Sequence, residues 1–121
     1  MGVENNECII ATTWNEDAVW EIKQWISTEI PEDWRKLFGF LPSIVNVKHT
    51  IVFGPDGSKK GWEHAEVGEK LRDAFISKLE SFNYDDGSSP FDYVEVGYGE
   101  FGQKVLRGNC ENKYNDEEYA V

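Results

Sequence analysis

The 121-residue chain predicts an α+β two-layer sandwich. Its sheet is small and antiparallel or mixed, two main helices cover one face, and the element order is β-α-α-β-α-β-β. Three observations predict it. Two segments repeat apolar residues at helical spacing. Several others alternate apolar and polar residues or cluster β-branched and aromatic ones. Hydrophobic residues make up 40% and aromatic residues 14%, too much apolar surface for a disordered chain. The length suits one domain. The expected division is a single domain over 1–110 and an acidic C-terminal tail over 111–121, where four acids face one lysine.

The first strand candidate is Cys8 to Trp14. A helix is expected from Glu16 to Glu29, with Asn15 as N-cap and Glu16 and Asp17 at the positive end of the dipole. Val19, Ile22, Ile26 and Ile30 form its apolar stripe, widened by Ala18 and Trp25, and Pro31 stops it. Glu32 to Phe38 is expected as a second helical turn ended by Gly39 in the manner of a C′ glycine. A strand follows over Val45 to Phe53, and Gly54-Pro55-Asp56-Gly57-Ser58 has turn chemistry.

Trp62 to Phe82 has the strongest helical periodicity. Val67, Leu71, Ala74, Phe75, Lys78, Leu79 and Phe82 share a face, with Phe75 and Leu79 at its centre. Gly68 lowers helix propensity by about 1 kcal/mol relative to Ala and marks a close packing contact. Two strands follow, Phe91 to Tyr98 and Gln103 to Gly108, joined by Gly99-Glu100-Phe101-Gly102 as a hairpin. Val94, Val96 and Tyr98 face one way and Tyr93, Glu95 and Gly97 the other. That alternation suits a sheet with one face on a helix layer and one wet face.

Charge narrows the function classes. The net charge is -11, so direct nucleic-acid binding is not expected, because phosphate contact needs clustered cations. No apolar run approaches the roughly 20 residues of a membrane span, and no signal peptide opens the chain. Cys8 and Cys110 form no CxxC pair and read as reduced thiols of a cytoplasmic protein, Cys8 buried as a small hydrophobe. The two cysteines with His49 and His64 lack the spacing of a zinc site, so neither metal nor cofactor is expected.

Three readings of function follow. The favoured one is a non-enzymatic acidic binding protein, a small regulator or inhibitor of a protein with a basic surface, such as a nucleic-acid-binding one. An accessory protein of a phage or mobile element is one setting for such a chain. Its expected partner-binding residues are the carboxylates Glu63, Glu66, Glu69 and Asp73 of the long helix, with Trp20 as an exposed apolar anchor. The second is a nucleotide or phosphate binder using the Gly54–Gly61 loop. There Gly57, Ser58, Lys59 and Lys60 lead into a helix N-terminus, although P-loop spacing is absent. The third is a small hydrolase using His64 as a general base beside the helix carboxylates, with no nucleophile at matching spacing.

Overall fold

The computed structural model describes residues 5–59 and 61–110. Lys60 and the expected tail, 111–121, lie outside the described residues. The elements are β1 (Asn5–Thr13), α1 (Glu16–Glu29), α2 (Glu32–Arg35), β2 (Phe38–Pro42), β3 (His49–Phe53), α3 (Glu63–Glu80), β4 (Phe91–Gly99) and β5 (Gly102–Gly108). The strands form one antiparallel sheet in the order β2-β3-β1-β4-β5. β1 and β2 run parallel with β3 between them, and β3 and β4 run parallel with β1 between them. Two split β-α-β units therefore interleave. β5 is added at the edge by the Gly99–Gly102 hairpin. This is the expected α+β sandwich in its antiparallel form.

α1 follows directly from its sequence. Asn15 Oδ1 accepts a hydrogen bond from the Ala18 amide at 3.1 Å, capping the first turn. Ala18, Val19, Ile22 and Ile26 are buried, and Ile30 closes the stripe. Ala18, Ile22, Ile26 and Ile30 meet Ile9 and Ala11 of β1, Ile51 and Phe53 of β3, and Phe75, Ile76 and Leu79 of α3 in one core. Phe38 stacks on Phe53 at 4.2 Å and meets Phe75 edge-on at 5.2 Å. Phe75 and Leu79 are at most 1% exposed.

Three local differences matter for the site. The second helical turn ends early, and Phe38 and Gly39 belong to an additional edge strand, β2, where Gly39 pairs with Val52. Gly39 is thus an extended residue and not a C′ glycine. The strand expected from Val45 starts at His49. Asn46 and Val47 take positive φ (66° and 41°) in the β2–β3 turn, which the Ser43 hydroxyl closes by accepting from the Lys48 amide at 2.8 Å. Finally, α3 is rotated relative to the expected stripe. Its buried residues are Gly68, Arg72, Phe75, Ile76 and Leu79, while Ala74 is exposed.

Candidate functional site

The rotation of α3 turns Arg72 inward, toward the sheet. Its side chain is nine-tenths buried. Beneath it lies Glu95 of β4, equally buried. Of the two alternating sets on β4, Tyr93, Glu95 and Gly97 face the helices, so a carboxylate enters the covered side of the sheet. Burying an ion is strongly unfavourable unless a partner and hydrogen bonds compensate. Both are present. Glu95 Oε1 accepts from Arg107 Nε at 2.6 Å, and Glu95 Oε2 lies 3.6 Å from Arg72 Nε. Arg107 Nη2 donates to Asp73 Oδ1 at 2.6 Å, and Arg72 Nη2 pairs with Glu7 of β1 at 2.6 Å. Burial draws the Arg107 guanidinium down, but its bonds to Glu95 and Asp73 outweigh this and hold it above its usual value.

A β-bulge places Arg107. The β4–β5 register pairs Glu95 with Arg107 and Val96 with Val105, leaving Leu106 as the extra residue. Consecutive residues Leu106 and Arg107 therefore both reach the covered side. Leu106 packs over Gly97, where a Cβ would sit 3.4 Å from it, in ordinary van der Waals contact.

These groups line a cleft of about 510 Å³ together with Asp56, Ser58, Ala65 and Glu69. Asp56 belongs to the loop after β3. Its Oδ1 accepts from both the amide (2.8 Å) and the hydroxyl (2.6 Å) of Ser58. Its Oδ2 is buried and receives no donor. Gly68 makes this approach possible, since a Cβ at that position would collide with Asp56 Oδ2 and come within 3.0 Å of Arg72 Nη1. The close contact expected at Gly68 is therefore with a carboxylate and a guanidinium.

The expected site residues are divided by this geometry. Glu69 and Asp73 line the cleft, while Glu63 and Glu66 are exposed on the first turn of α3 outside it. Trp20 is 64% exposed on α1, which contributes nothing to the cleft. In the loop, Gly57 takes φ 82°, and Ser58 reaches the cleft but Lys59 does not. The Ser58 amide, the donor an external anion would use, is already occupied by Asp56. His64 is exposed and stacked against Trp34 at 6.4 Å. Among the described residues no hydrogen bond joins it to a serine, a cysteine or a carboxylate. His49 lies 3.7 Å from Glu16. Among the described residues no group of three or more His, Cys, Asp or Glu is placed to hold a metal ion. No helix among them is long and apolar enough to cross a membrane. Cys8 is buried and Cys110 exposed, both free, and burial pushes both thiols up.

Glu7, Glu95, Arg72 and Arg107 were not expected at the site. The bulge and the α3 rotation that unite them leave no local pattern. Comparison with protein-family models, curated proteins and solved structures finds no match to this chain.

Proposed function

We propose that the protein is a non-enzymatic binding protein for a partner with a basic surface, and that the cleft beside α3 takes a cationic side chain of that partner. One observation carries the reading. Five carboxylates and two guanidiniums line the cleft, and both guanidiniums are already engaged by carboxylates. Negative charge is thus in excess, and among the described residues no lining cation is left over for a phosphate. Glu69 stands at the rim without an ion-pair partner among the described residues. A lysine or arginine entering there meets acceptors already fixed in place, which lowers the cost of ordering them. Glu63 and Glu66 extend the negative field along α3 and act on encounter. A regulator or inhibitor that covers a basic functional surface is the role such chemistry serves.

The test uses fluorescent octa-arginine as probe and stopped-flow association at low and high salt. The reading expects binding that weakens steeply with salt. Glu63→Gln with Glu66→Gln should slow association several-fold and leave dissociation nearly unchanged. Glu69→Gln should mainly speed dissociation. Equal effects from all three positions, or tighter binding of inorganic phosphate than of the peptide, would overturn it.

A further inference from the structure

We infer that the face of the sheet that no element among the described residues covers is a homodimer interface, where a second copy of this chain packs sheet on sheet. The register defines its residues row by row. One row runs Gly39, Val52, Ile10, Val94, Gly108 across all five strands. The next runs Cys8, Val96, Val105, passing from buried Cys8 through half-buried Val96 to exposed Val105. Apart from the terminal glycines, every side chain in these rows is apolar. The flanking rows are mostly polar: Leu41, Thr50, Thr12 and Asp92 on one side, Asn6, Tyr98 and Gln103 on the other. Thr12 and Thr50 hydrogen-bond to each other at 2.9 Å.

An antiparallel sheet with one face in water normally alternates polar residues outward. Here the outward positions carry an apolar centre with a polar rim, the anatomy of a protein interface. Val105 is 65% exposed and Leu41 57%, so the side chains at the two edges of this face stand unpacked.

Charge selects the occupant. A chain of net charge -11 repels its own copy wherever carboxylates would meet. Of the strand residues pointing to this face only Asp92 is charged, and it lies in a rim row, so two copies can meet here without opposing carboxylates. The same neutrality leaves a basic partner nothing to pair with. Size agrees too. Five strands about 4.8 Å apart make a face roughly 24 Å wide, and strands of this length give a footprint on the order of 500 Å². Two such footprints total about 1,000 Å², the size of a weak, reversible interface. Two copies related by a two-fold axis would interdigitate the valine and isoleucine rows.

Sedimentation of the full chain from low to high micromolar concentration tests this. The expected species at high concentration has twice the chain mass of 13.9 kDa. Val105→Lys and Ile10→Lys should each weaken the dimer at least tenfold while circular dichroism stays unchanged. Val105→Thr, a milder change, should weaken it less. Glu69→Gln, on the covered side, should leave it intact. A monomer at every concentration overturns the inference, and so does a dimer that both lysine variants leave unweakened. A monomer whose face amides shift when 111–121 are deleted also overturns it, by giving the face to the chain's own C-terminal segment.

Discussion

Under α3 the sheet presents Glu7, Glu95 and Arg107, while on its other side the same strands present Cys8, Ile10, Val94, Val96 and Val105. At this end of the sheet charge lies on the covered face and apolar side chains on the open one, while elsewhere the covered face carries the core residues Ile9, Ala11, Ile51, Phe53 and Phe91. Hydrophobicity alone assigns the two faces at this end the other way round. Arg72 reverses the assignment. Descending from α3 between Glu7 and Glu95, it allows the carboxylates to be covered without being stranded. The valines opposite are then left outward, and a face so depleted of charge is suited to another face like it. Ion-pair partners decide burial at this end of the sheet, and hydrophobicity decides it over the rest.

The first way to test the comparison is to damage the covered side where it is wholly apolar. Phe75→Ala should cost about 3–5 kcal/mol in urea unfolding, because it removes the ring that packs against Phe38, Phe53 and Trp25. An unchanged midpoint would mean that α3 sits in another register. Next is the charged end. Glu95→Gln keeps the shape and removes the charge shared by two guanidiniums, and should cost about 2–3 kcal/mol. Val105→Thr on the open face should stay within about 0.5 kcal/mol, measured dilute enough to keep the chain monomeric. If the two changes cost the same, the contrast between the faces is wrong.

A smaller effect concerns Gly68. Ala is favoured over Gly in a helix by about 1 kcal/mol. Gly68→Ala should nevertheless destabilise, since the new methyl group collides with the buried Asp56 carboxylate and crowds the Arg72 guanidinium. In an Asp56→Ala background the sign should reverse, and the cycle reads the coupling directly. The smallest effect is in pH. Tyr93 donates to Glu80 at 2.9 Å, and burial, reinforced by that carboxylate, pushes its phenol up to about 12. The folded value exceeds the unfolded one, so this contribution is complete below pH 10 and is lost as pH rises toward 12. Tyr93→Phe should flatten the decline of stability over that interval, read from urea midpoints against pH.

Much of the architecture was legible in the sequence because the signals are local. The cap at Asn15, the Ile22–Ile26–Ile30 stripe, and the Gly99–Gly102 hairpin each act within a few residues. The cleft was legible only in part. Glu69 and Asp73 could be read as a helix surface, and Gly68 as a close contact. Glu95 could not, since a charged residue in an alternating strand reads as outward unless its partners are known. Those partners lie on α3 and beyond a bulge. β2 was missed because Phe38-Gly39 resembles a helix ending, and its strand conformation is fixed by pairing with β3.

The most direct measurement of the whole account is one series of amide spectra of the labelled chain, first diluted and then titrated with octa-arginine. Dilution should move Ile10, Val52, Val94, Val96 and Val105 on the open face and leave the cleft still. The peptide should move Ser58, Glu69, Asp73 and Arg107 and leave the open face still. Two disjoint sets of shifts are the predicted result. Peptide-induced shifts on the open face, or dilution shifts in the cleft, would contradict the separation of a charged recognition cleft at one end of the covered face from an apolar self-association face opposite.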